Sequence, residues 1–411
     1  MSRGEGQGSD ATQKQTTGIG VDYWLMWVGQ TISMIGDQFG AMALSILILQ
    51  RTGSATAMSV NVILNMVPML LIGPVAGLVL DRVNRKRVLV TADVCRGLLT
   101  LGLGWLIYAG RFTILHAYGW GVIVSVFRAF YDPGTMAIVP ALVPPDRLQR
   151  ANALQVSGRN VAMIAGPALA GVAVAEFGPW FALVANAVSF GVSALLISYA
   201  RPRFEERRIP AGRPKLSELK EGFGFFRSLP LASVLLGLTI MVNACSQPSG
   251  IAMNVHILKT LGGDPTFLGS LFSVSAAASL ISSSIIATRK RWPHLGRMAA
   301  IAVAGLGLSY ILSGFAPWLW LIPVSMGISG AMGPLMQIPI NTLYQDITPP
   351  DMRGRVFALR TALSRILSPV SFALAGVLLD TLGSRIVLAL LGVILCIAAL
   401  AAGARRELRD V

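Results

Sequence analysis

The stretch Gly77-Leu78-Val79-Leu80-Asp81-Arg82-Val83-Asn84-Arg85-Lys86-Arg87 sets four cations and one acid between two long apolar runs. So short and so basic a connection reads as a tight cytoplasmic turn between two membrane helices. Gly77 permits close helix approach, Asp81 offers a carboxylate to a helix N-terminus, and the arginines hold the turn at headgroup level. Asn84 tolerates the left-handed conformation that a tight turn often needs.

Composition points the same way. With 54% hydrophobic and only 13% charged residues in 411, and a mean hydropathy of +0.65, the chain is too apolar to be soluble and reads as an all-α polytopic membrane protein. The net charge of +15 lies in the short connections rather than on one soluble face, which argues against nucleic acid as a partner. Cys95, Cys245 and Cys396 sit inside apolar runs, and His116, His256 and His294 are scattered, so neither a disulfide framework nor a metal site is expected. None of the lysines follows a glycine, which removes a phosphate-binding loop of the ATPase kind. No soluble stretch is long enough for an enzyme, and no cofactor is implied.

Twelve spans are expected at residues 23–49, 57–80, 88–108, 115–139, 151–177, 180–199, 231–258, 266–288, 298–315, 318–344, 356–382 and 384–402. One side of this arrangement, carrying both termini, holds 25 of the 34 Lys and Arg, and the opposite loops hold only Arg51, Arg111, Lys259 and Arg385. The termini are therefore placed in the cytoplasm, with the chain in the cell's inner membrane. Residues 1–22 read as a disordered tail and 404–411 as a second tail. The connection 200–230 reads as a linker between the six-helix bundles 23–199 and 231–403, with Leu216 to Phe226 an amphipathic helix on the inner leaflet.

An internal repeat supports that division. An offset of 205 residues lays Pro144, Pro145, Asp146, Arg150, Ala153 and Leu154 on Pro349, Pro350, Asp351, Arg355, Ala358 and Leu359, and Ala168 to Val172 on the identical Ala373 to Val377. Because the offset spans six helices, the two halves run in the same orientation.

Gly77, Asp81, Arg82, Arg85 and Lys86 resemble the loop signature of the major facilitator superfamily of secondary transporters, with Asn84 where that family usually has a second glycine. Trp27 to Asp37, Pro140 to Leu154 and Gly354-Arg355-Val356 resemble its twelve-span drug:proton antiporters, nearest the branch with macrolide efflux pumps and the enterobactin exporter. Gly158, Gly166, Pro167 and Gly171 match the antiporter motif of the fifth helix, with Ala162 in place of a further glycine. The resemblance implies two parallel-repeat six-helix bundles that rock about a central cavity, a monomer, and a gate on the cytoplasmic side. In that gate Asp81 would bond the start of helix 11 near Gly354 to Phe357 and Arg85 would pair with Asp146. Arg128 matches the arginine of a fourth-helix motif, although Tyr131 and Asp132 replace the residues that usually follow.

Asp37 and Arg128 reach comparable depth on antiparallel spans and are expected to face each other as the proton-coupling pair. Asp93 and Arg96, one turn apart, read as a juxtamembrane ion pair. Gln30 and Ser33 give helix 1 a polar stripe. Asn243 and Gln247 surround Pro248, which suggests a broken helix 7. Met332, Met336 and Gln337 lie among glycines and Pro334 in helix 10. With Tyr131, these residues are expected to line a deformable substrate cavity. The expectation is a secondary exporter of amphiphilic small molecules by proton antiport. The alternatives are a non-transporting receptor of the same fold and an importer, and a polar cavity with several charges would favour these.

Overall fold

The computed structural model describes residues 19–80, 82–202, 223–288, 292–316, 318–350 and 352–409. Among them there is no strand, and twelve helical spans are long and apolar enough to cross a membrane. This is the structure that a bilayer solvent demands, because a helix satisfies its own backbone groups where no water is present.

The helices are α1 (Val21–Thr52), α2 (Ala55–Leu80), α3 (Arg85–Tyr108), α4 (Ile114–Leu142), α5 (Leu148–Phe177), α6 (Pro179–Tyr199), α7 (Pro230–Val255), α8 (Pro265–Ala287), α9 (Leu295–Phe315), α10 (Leu321–Ile347), α11 (Arg353–Ser364), α12 (Ser368–Leu382), α13 (Ser384–Gly403) and the short α14 (Arg406–Arg409). Most of the expected tail, residues 1–18, lies outside the described residues, as do 203–222 of the expected linker and Asp81 itself. Val21 and Asp22, assigned to the tail from sequence, already belong to α1, and Asp22 is buried.

Several ends differ from expectation for a clear reason. The α3 helix starts at Arg85, three residues before the apolar run, because Asn84 caps it by accepting from the Arg87 amide at 3.1 Å. Asn84 is extended, at φ −69°, and the turn does not use the left-handed conformation it could tolerate. The α7 helix runs unbroken through Pro248 and ends in a π turn at His256–Thr260. The break occurs instead in the eleventh span, between α11 and α12, just before Pro369, whose ring cannot continue a helix. The Asn243 side chain crosses to this break and donates to the Ser364 carbonyl at 3.1 Å.

Helices α1 to α6 pack among themselves, with α1 against α5 and α6, α3 against α4 and α6, and α2 against α4. Helices α7 to α13 do the same around α9–α13, α9–α10 and α8–α10. The two sets meet chiefly through α5–α8 and α2–α12. At the first seam Gly171 and Gly269 bring the backbones so close that a Cβ added to either would lie 3.2 Å from the other's Cα. Ser273 adds a hydrogen bond to the Ile164 carbonyl at 2.5 Å.

The second seam is closed at one end and open at the other. At the end away from the termini, Gly376 abuts Thr56 and Ser59. There Asp380 also caps the start of α2, accepting from Ser54 Oγ at 2.6 Å and from the Ala55 and Thr56 amides at 2.7 and 3.0 Å. Nearby, Lys259 donates to the Gly53 carbonyl at 2.8 Å. Near the termini, Gly73 and Gly77 of α2 and Gly354 of α11 have nothing among the described residues within 4 Å of the Cβ each would carry.

Candidate functional site: an intramembrane charge chain beside a central cavity

A cavity of about 530 Å³ lies between the two helix sets and is lined by α1, α2, α5, α7, α8, α10 and α12. Gln38, Ser45, Gln247, Asn254, Ser275, Ser279 and Ser329 supply its polar wall, and Met42, Met163 and Phe372 much of its apolar one. None of the lining residues is charged.

Of the residues expected to line this cavity, Gln247 does. The others are placed elsewhere by packing. Asn243 caps the break in the eleventh span. Met332 presses against Gly305 and faces a separate groove beside Met298 and Ile301. Met336 is buried in the core of the second helix set, and Gln337 is exposed away from the cavity lining. Gln30, Ser33 and Tyr131 are buried between helices. Neither amide atom of Gln30 has a hydrogen-bond partner among the described residues.

Asp37 does not take Arg128 as its ion-pair partner. Its carboxylate accepts from Arg96 Nη2 at 3.0 and 3.3 Å, and the Nη1 of the same guanidinium donates to Asp93 Oδ1 at 3.4 Å. Arg96 and Asp93 are almost fully enclosed, at 2% and 0% exposure, while Asp37 keeps 29%. This corrects the juxtamembrane reading of the Asp93–Arg96 pair. Because α3 begins at Arg85, Arg96 stands 11 residues in, about 17 Å at 1.5 Å per residue.

Aromatic rings complete the enclosure. The Arg96 guanidinium lies 4.0 Å from the Phe190 ring centroid and 5.1 Å from that of Tyr131. The Tyr131 hydroxyl shares a 3.3 Å hydrogen bond with Ser193. A cation held between ring faces and two carboxylates recovers part of the several kcal/mol that each buried ion loses on leaving water.

Arg128 is half exposed and donates to Asp132 at 3.4 Å, one turn along α4. The Asp37 carboxylate is near enough to act on its charge. The structure thus keeps Asp37 and Arg128 in one electrostatic neighbourhood, with Arg96 in the position that the sequence had suggested for Arg128.

The antiporter-motif residues are packing positions here. Gly158 receives Thr31 and Trp27 of α1, and Gly166 receives Gln38. Gly171 meets α8, and the carbonyl of Pro167 faces Gly269. At the basic turn, Arg85 donates to the Ala137 carbonyl at 3.0 Å. The ion pair of Asp146 is with its neighbour Arg147, at 3.1 Å, rather than with Arg85. The expected contact of Asp81 with α11 lies outside the described residues. Asp380 and the Asp93–Arg96 extension of the charge chain were not singled out as functional from sequence. An acid at the end of one span that caps the start of another across the seam leaves no local pattern.

Comparison with known proteins agrees with this architecture. The sequence profile of the Major Facilitator Superfamily matches residues 26–372 and again 239–408. Among curated relatives, the chain is 28% identical over 381 residues to the multidrug efflux pump Tap of Mycobacterium tuberculosis, covering 88% of this chain and 87% of that protein. It is 22% identical over 385 residues to macrolide efflux protein A of Streptococcus pyogenes, covering 92% and 94%. Among solved structures, a bacterial homologue of the iron transporter ferroportin, in its inward-facing state, superposes with a TM-score of 0.71 at 17% identity, covering 93% of this chain and 99% of that one. The twelve spans, the repeated halves and the profile match across most of the sequence together place this chain in the Major Facilitator Superfamily of membrane transporters.

Proposed function

We propose that this transporter is a proton-driven exporter of amphiphilic small molecules, working by alternating access. The observation that carries the reading is the charge chain, in which a carboxylate partly exposed beside the cavity bonds a buried guanidinium that a second, fully enclosed carboxylate also holds. Protonation of Asp37 would remove its hold on Arg96 and leave that cation to Asp93 alone. The helices α1 and α3 that carry the pair would then be free to change their relation, which is how a proton gradient would bias one access state over another.

The cavity suits a deformable amphiphile, because its wall is apolar with scattered hydroxyl and amide groups rather than a dense polar array. That the relatives Tap and macrolide efflux protein A are named as efflux proteins supports export over import. With the basic connections in the cytoplasm, the open end of the α2–α11 seam faces inward and the chain stands inward-open. That Asp146 pairs with Arg147 rather than with Arg85 belongs to that state. The functional unit is a monomer, since one chain encloses the whole cavity.

The test is uptake into energised inverted membrane vesicles of a panel of labelled amphiphiles with acidic, neutral and amine headgroups. Uphill accumulation of at least one member, abolished by a protonophore, is expected. Equilibration without accumulation across the panel would overturn the reading.

A further inference from the structure

Within the spans, away from their first and last turns, stand five arginines, Arg96, Arg128, Arg159, Arg360 and Arg365, against three aspartates, Asp37, Asp93 and Asp132. Arg96 engages two of the acids and Arg128 the third. Arg360 is buried, donates to Asn341 Oδ1 at 2.7 Å and lies 4.6 Å from the Tyr344 ring centroid. Arg159 and Arg365 remain. Both are exposed, and neither has an ion-pair partner among the described residues.

An unpartnered guanidinium at this depth is too costly to face lipid, so its place is a wetted surface. The helix geometry supplies one. Arg159 shares a face of α5 with Met163 and Pro167, at four-residue steps, and both of those line the cavity. Arg365 stands at the break of the eleventh span, seven residues before the cavity-lining Phe372 and on the exposed face that holds Gly354 and Ala358. Counted from Leu148 and Arg353, the two lie 11 and 12 residues in, about 17 and 18 Å from the termini side. The 205-residue offset carries position 159 onto 364, next to Arg365, so the two arginines hold near-equivalent places in the two repeats.

We propose that Arg159 and Arg365, at the cytoplasmic mouth of the cavity, select an amphiphile bearing an acidic headgroup. The cavity wall itself offers only uncharged groups to the substrate's body, and Asp37 and Arg128 are held by Arg96 and Asp132, so an anionic headgroup is left to these two arginines. A guanidinium fork matches a carboxylate, sulfonate or phosphate with two parallel hydrogen bonds, which a neutral ester cannot reproduce. The assignment rests on the cavity being the substrate site of the exporter argued above, and it names the class of substrate that site prefers.

The experiment uses the purified full chain in a neutral detergent. Binding is measured by fluorescence for three probes of one length: dansyl-undecanoic acid, its methyl ester and dansyl-undecylamine. The acid is expected to bind about tenfold more tightly than the ester, a factor one charge-assisted contact can supply. That preference should fall to near unity in Arg159→Gln/Arg365→Gln, with ester affinity unchanged, and return in Arg159→Lys/Arg365→Lys at least in part. Equal affinity for acid and ester in the unaltered protein, tighter binding of the amine, or a preference that survives the double glutamine variant would each overturn the assignment. Should the double variant fail to fold, Arg159→Gln and Arg365→Gln made singly decide: each is expected to lose part of the acid preference, and full preference in both would overturn the assignment. The two readings fail separately. Acid preference without uphill accumulation in vesicles counts against the exporter, while accumulation without acid preference counts against the arginine site.

Discussion

Arg96 is enclosed on all sides and holds two carboxylates at once. Replacing it by methionine strands Asp93 at 0% exposure without its cation. Loss of one partner from a buried pair costs about 3–5 kcal/mol, so Arg96→Met should melt well below the unaltered protein in detergent thermal unfolding. Combining it with Asp93→Asn should recover part of the loss. Equal melting of Arg96→Met and the unaltered chain would remove the charge chain as a structural element. Asp37 was legible in the sequence as an intramembrane acid, and so was its need for an arginine. Its true partner was not. Hydropathy alone begins the third span at Val88, which puts Arg96 too near the headgroups, and only the Asn84 cap reveals the extra turn.

At the scale of elements, the two seams make contrasting demands on glycine. Gly171 is in backbone contact with Gly269 and Pro265, so Gly171→Leu should force α5 and α8 apart, costing about 1–3 kcal/mol as overpacking does. A Cβ added at Gly77 would meet no atom of the described residues within 4 Å in this state. Gly77→Leu should therefore leave thermal stability within about 0.5 kcal/mol of the unaltered protein, yet block closure of α2 on α11 and abolish transport. Parallel melting and vesicle-uptake measurements on the two variants check this. A Gly77→Leu protein with full uptake would mean that the near-termini ends of α2 and α11 never meet. The helices themselves were readable from apolar run length, and the seams in part from their small residues. The break before Pro369 was not, because Pro248, Pro334 and Pro339 sit inside unbroken helices and look no different in sequence. What distinguishes the eleventh span is the reach of Asn243 to satisfy the freed Ser364 carbonyl.

For the whole molecule, the repeat and the asymmetry of basic residues were legible from sequence because both are properties of the chain as a line. Which polar side chains reach the cavity was not, because it depends on how each helix is rotated in its bundle. Thus Gln247 lines the cavity while Asn243, one turn earlier, does not. Orientation predicts that a cysteine placed at Ser228, beside the linker, reacts with a membrane-impermeant maleimide in inverted vesicles and not in intact cells. The reverse pattern would turn the transporter over and make the open end of the seam face outward. Whether Asp37 couples proton movement to substrate movement is read from Asp37→Asn beside the unaltered protein in proteoliposomes under an imposed pH gradient. Asparagine keeps the size and an acceptor for Arg96 while removing the titratable group. Asp37→Asn should still exchange labelled for unlabelled substrate at equilibrium but no longer accumulate it uphill; sustained, protonophore-sensitive accumulation by Asp37→Asn would place the coupling group elsewhere.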